Sequence, residues 1–110
     1  MNDQEDGMVI TADQAREIAT EQERSDRRTL NEKVERETLA LTTTWLGRRR
    51  LRYVERAIWR AARRGERETL VGGWSYARAH GVARYLRLHG FMTSVDSLTL
   101  GGRLVVLVRW

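Results

Sequence analysis

Residues 91–110 read FMTSVDSLTLGGRLVVLVRW, and this stretch decides the fold. Two runs rich in β-branched and aliphatic residues flank Gly101-Gly102, the signature of a two-residue hairpin. With the turn centred there, Leu100 faces Arg103 and Leu98 faces Val105. Phe91, Val95, Leu104, Val106, Val108 and Trp110 then share one side of the hairpin, the expected core face.

Reading outward, Gly90 stops a helix that Ser75 opens and that runs to about His89. Tyr76, Ala79, Val82, Ala83 and Leu86 recur at helical spacing and form its inward face. Upstream, Thr69-Leu70-Val71 predicts a short strand closed by Gly72-Gly73. A helix over Arg48–Arg64 precedes it and ends at Gly65. Three β-branched residues, Thr42-Thr43-Thr44, followed by Gly47, predict a joint before that helix.

The N-terminal third opens with a capping box, Thr11-Ala12-Asp13-Gln14. No proline or glycine interrupts helix from there to about Leu41. Its apolar positions are sparse (Ala15, Ile18 and Ala19, then Leu30, Val34 and Leu41), and residues 20–29 are polar on every side. So thin a stripe predicts a helix that leans on a partner or projects over part of its length. The expected organisation is a polar lead (1–10), a long, partly projecting helix (11–46) and a compact α-β-α-β-β domain (47–110). The fold class is α+β, with a three-stranded sheet covered by helices on one face.

Charge divides the chain. Residues 1–46 hold eleven acids against six bases, a net of −5, and residues 47–110 hold fourteen arginines against four acids, a net of +10. Opposite signs at opposite ends suit contact between neighbouring chains as well as attraction to an anion. Nineteen of the twenty bases are arginine, whose planar fork pairs bidentately and stacks on rings.

The helix at 48–64 concentrates that charge. At 100° per residue, Arg49, Arg52, Arg56, Arg60, Arg63 and Arg67 fall within about 80° of arc, opposite Leu51, Val54, Ala57, Ile58, Ala61 and Ala62. Trp59 borders this ridge, within helical reach of Arg56 and Arg63. An arginine row with an adjacent indole suits a protein surface or a phosphate backbone. Of the four tryptophans, two or three fit a core of this size, and Trp45, at the joint, is expected to remain outside as an interface anchor.

Catalytic constellations do not emerge. His80 and His89 lie nine residues apart, on opposite sides of one helix, and there is no cysteine for zinc or a thiol nucleophile. His89 is expected to complement the helix's negative end, and Asp96 to face a cross-strand partner. Val71-Gly72-Gly73-Trp74-Ser75 has neither the spacing nor the lysine of a phosphate-binding loop. The chain is therefore expected to be no enzyme and to take no cofactor, metal or small-molecule substrate. No apolar run approaches the roughly 18 residues of a membrane span, and the acidic opening MNDQEDG is unlike a secretory signal.

Thr11 and Ala12 at the first helix start, Ile58 with Ala61 and Gly65 at a helix end, Leu86 with Gly90 and Phe91 at a helix–strand junction, and the terminal Trp110 together resemble small bacteriophage-encoded α/β proteins. The resemblance spans about residues 10–110 and implies a viral origin, in the virion or the host cytoplasm. It supplies no catalytic residues. Residues 82–110 also resemble the recognition helix and wing of winged helix-turn-helix proteins, which implies DNA contact through Arg78, Arg84 and Arg87 with Gly101-Gly102 at the wing tip. That pattern needs two helices between strand and wing, and this sequence offers one. The expected partners are further copies of the chain or other virion or host proteins, with nucleic acid, or inhibition of a host protein, as the alternatives. The expected contact residues are Arg49, Arg52, Arg56, Arg60, Arg63, Arg67, Trp59 and Trp45.

Overall fold

A computed structural model describes residues 10–97 and 102–110. The elements are α1 (Ala12–Thr43), α2 (Trp45–Arg63), β1 (Glu68–Trp74), α3 (Tyr76–Leu88), β2 (Met92–Asp96) and β3 (Leu104–Arg109). This is the α+β order read from the sequence. By contacts the chain divides into two units, Met1–Asn31 and Glu32–Trp110.

In the first unit the expected capping box forms. The Gln14 amide donates to Thr11 Oγ1 at 3.1 Å, and the Thr11 amide donates to Gln14 Oε1 at 3.0 Å. Residues 12–31 are helical and every one of them is exposed.

The second unit begins inside α1, so the last twelve residues of that helix group with the compact domain rather than separating from it at residue 46. Leu41 is fully buried in a core with Val54, Val71, Val82, Val106 and Val108. At this size the loss of one such side chain leaves a cavity that costs a few kcal/mol, about 2–5 for leucine.

The joint is a single residue, Thr44. Its hydroxyl donates to the Ala40 carbonyl at 3.0 Å and accepts the Gly47 amide at 3.0 Å, ending α1 and capping α2 together. Gly47 is not the break the sequence suggests. It lies buried in the first turn of α2, where a Cβ would collide with the Ala40 carbonyl, so glycine permits the two helices to meet closely.

β3 is the central strand, antiparallel to β1 and β2 in the order β1-β3-β2. β1 does not close at Gly72-Gly73 but runs on to Trp74 through a bulge between Gly72 and Trp74, with Gly73 at φ 90°. The expected partner of Val105 is Leu98; the observed one is Asp96. A displacement of two residues preserves the alternation of faces, so Val95, Leu104, Val106 and Val108 still point toward the helices. Leu98, Leu100 and Gly101, the remainder of that expectation, lie outside the described residues.

Helix α2 packs against β1, and α3 against β2 and β3. On α3, Ala79, Val82, Ala83 and Leu86 are buried as their spacing predicts, while Tyr76 is 48% exposed. Gly81 is buried too, facing Glu37 and Thr38 of α1, a contact that apolar periodicity does not reveal. Ser75 occupies the N-cap position but makes no side-chain capping bond. His89 Nδ1 lies 2.9 Å from the Tyr85 carbonyl at the end of α3, as expected of a residue serving that terminus.

Candidate interaction surface

Helix α2 has two contrasting sides because its arginines recur every three or four residues while its aliphatic residues fill the rest. Val54 and Ala61 are buried, and Leu51, Ala57 and Ile58 are half-buried. Ala62, expected on the same side, is exposed. Opposite them, Arg49, Arg52, Arg56, Arg60 and Arg63 are all exposed along one row.

Arg67 does not belong to that row. The helix ends at Arg63, so extending 100° per residue to position 67 fails. Arg67 lies in the connection to β1, where its carbonyl accepts the Trp110 amide at 3.0 Å.

The two exposed tryptophans frame the ridge. Trp45 is 62% exposed and Trp59 63% exposed. The Arg49 guanidinium sits 5.5 Å from the Trp45 ring centre, and Arg63 sits 4.9 Å from that of Trp59. Such stacking is worth about 0.5–1 kcal/mol at a surface and holds the cations in place. Trp74 and Trp110 pack against the core, edge-on to Tyr53 and Phe91 respectively. The tryptophan at the joint is thus outside, as expected, and it is joined by Trp59.

The arginines differ sharply in what answers them. Arg50, with a side chain only 12% exposed, pairs with Glu37 at 3.4 Å; Arg78 approaches the same carboxylate at 3.9 Å. Burial pulls the Arg50 pKa down while Glu37 pulls it back up. Arg84 pairs with Glu35, Arg109 with Glu68, and Arg64 with Glu66. The Arg64 guanidinium holds the Glu66 carboxyl below its ordinary range through their hydrogen bond. By contrast Arg49, Arg52, Arg56, Arg60 and Arg63 form no ion pair among the described residues.

These pairings bear on α3 as a recognition helix. Arg78 and Arg84 are turned to acids of α1, and Arg87 donates to the Thr93 hydroxyl at 2.9 Å. One helix alone stands between β1 and β2.

Beside the ridge lies a groove of about 480 Å³ between α2 and α3. Leu51, Ile58, Tyr85 and Phe91 line it, Trp59 forms the lip shared with the ridge, and Glu55 and His89 supply its polar edge. Sequence reasoning finds Trp59 but not the groove. Its walls come from two helices and a loop, and no single element's periodicity carries that juxtaposition.

Among the described residues no three metal-ligating side chains gather, and no helix is long and apolar enough to cross a membrane. No protein-family model, curated protein or solved structure matches the chain.

Proposed function

We propose that this is a non-enzymatic assembly protein that self-associates, or docks into a larger particle, through an acidic helix and the arginine ridge of α2. One observation carries the reading. Arg50, Arg64, Arg78, Arg84 and Arg109 meet carboxylates of their own chain, whereas the five ridge arginines stand exposed as one continuous row with none among the described residues. A row of five like charges is repulsive in itself, and an external anionic surface relieves that repulsion. The chain supplies such a surface in its own N-terminal portion, net −5 over residues 1–46. What supports a phage particle, rather than another assembly, is the resemblance carried by Thr11, Ala12, Gly65, Gly90 and Trp110.

Light scattering across a salt series tests the reading. Species heavier than the 12.8 kDa chain are expected at about 50 mM salt, dissociating near 1 M, where the screening length falls to about 3 Å. A monodisperse monomer at every salt and concentration overturns self-association.

A second reading has its own observation. Exposed Trp59 with Arg63 stacked at 4.9 Å is a surface suited to an unstacked base and its phosphate. It requires retardation of an oligonucleotide at about 50 mM salt, with a steep loss of affinity as salt rises. No shift under those conditions removes it.

A further inference from the structure

The ridge and its adjoining groove define the chemistry of their occupant. We propose that they receive residues 12–23 of a second copy of this chain, an inference that rests on the self-assembly reading above and names the segment involved.

The negative charge of the N-terminal portion is not spread along it. Residues 12–23 hold four acids and one base, a net of −3, while residues 24–46 hold four acids and five bases, a net of +1. The anionic surface is therefore the front of α1 rather than the whole helix.

The two charged rows have the same pitch. Asp13, Glu17 and Glu21 recur every four residues on α1, as Arg52, Arg56 and Arg60 do on α2. Each step is about 6 Å along its axis, and each row drifts about 40° per step in the same sense. Rows at i±4 spacing are those through which helices commonly pack, so carboxylates and guanidinia meet step for step. Asp13 is already held by Arg16 at 2.8 Å, whereas Glu17 and Glu21 have no ion pair among the described residues. The pair Glu17–Glu21 thus carries the contact.

The apolar parts also correspond. Around α2, Ile58 and Leu51 give way to Trp59 and then to Arg52, Arg63 and Arg56, so the groove adjoins the ridge. Around α1, Ile18 is 59% exposed and lies one helical neighbour from Glu21. With its acids on the ridge, this segment brings an aliphatic anchor to the groove. Every residue from 12 to 31 is exposed, and a helical stretch without packing is marginal in water, so docking stabilises the segment itself.

Charge exchange tests the pairing. The E17R/E21R and R56E/R60E variants alter exposed side chains only, and far-UV circular dichroism verifies their helicity. Sedimentation velocity at about 50 mM salt should show each variant associating at least about tenfold more weakly than the wild type. An equimolar mixture of the two should recover the wild-type complex. There the reversed segment meets the reversed ridge, and the native segment meets the native ridge. Should the wild type associate while E17R/E21R associates equally well, self-assembly stands and this segment is not the occupant. A wild type that stays monomeric overturns both readings. Failure of the mixture to recover, or loss of oligonucleotide binding in R56E/R60E as the sole effect, overturns the pairing. If the reversals disturb the helix, E17Q/E21Q keeps its propensity; a severalfold weaker association is expected, and an unchanged one overturns the proposal.

Discussion

The two portions of α1, residues 12–31 and residues 32–43, are helical for different reasons. The first stretch has a capping box, few β-branched residues and no glycine or proline, yet not one of its side chains is buried. In the second, the final turns of α1 carry Leu41 into the core, pair Glu37 with Arg50 and Arg78, and lie against Gly81. Propensity and capping suffice to write a helix, but tertiary burial is what makes a helix resist unfolding. The contrast separates residues that serve the fold from residues whose side chains contribute no burial to it.

The largest test of that contrast is a pair of truncations. Leu41→Ala should lower the unfolding free energy by about 2–4 kcal/mol, because the removed methyl groups leave a cavity at a fully buried site. Ile18→Ala, at a side chain 59% exposed, should change it by no more than about 0.5 kcal/mol. Urea unfolding of the two variants below the association threshold measures both. Similar losses would break the contrast, since residue 18 would then belong to the cooperative unit.

A smaller effect separates the carboxylates. Glu37→Gln leaves Arg50, 12% exposed, without its counter-charge and should cost about 1–2 kcal/mol by the same assay. Glu17→Gln removes no ion pair among the described residues and should leave monomer stability within about 0.5 kcal/mol. If both substitutions proved neutral, the acids of α1 would not differ in kind, and the distinction between its front and its final turns would rest on Leu41 alone.

Much of the fold is legible in the amino-acid sequence. The capping box, the element order, the two-sided character of α2 and the exposure of Trp45 all follow from local patterns that tertiary packing does not override. What escapes local patterns is everything set by contact between elements. Gly47 looks like a helix breaker in one dimension and is a close-approach residue in three. Arg67 continues the arginine spacing but lies past the end of the helix that gives the spacing meaning. The hairpin register is displaced by two because Gly101-Gly102 is a strong turn signal and nothing local reports the Asp96–Val105 pairing. The groove beside Trp59 needs Tyr85 and Phe91, contributed from beyond α2, and the pairing of Arg78 and Arg84 with α1 needs the packing of two helices.

The smallest effect comes from His80, and it confines a pH response to residues 32–110. Its ring is half-buried on α3 and tilted against Tyr76 at 4.2 Å. Burial first, and the positive Arg87 second, lower its pKa beneath the ordinary value of about 6.5. Between that depressed value and about 6.5 the unfolded chain binds more protons than the folded one, so stability rises with pH there. The contribution is complete above about 6.5 and is lost as the pH falls through the folded value. Because less than one proton is involved, the slope stays below about 1.4 kcal/mol per pH unit. His80→Gln should flatten it when urea unfolding is repeated between about pH 5 and pH 7.5. Residues 12–31 contain no histidine, so their amide hydrogen exchange should be the same in both proteins at each pH. A histidine substitution that altered exchange in that stretch would couple the two units, and the front of α1 could then no longer be treated as a surface independent of the core.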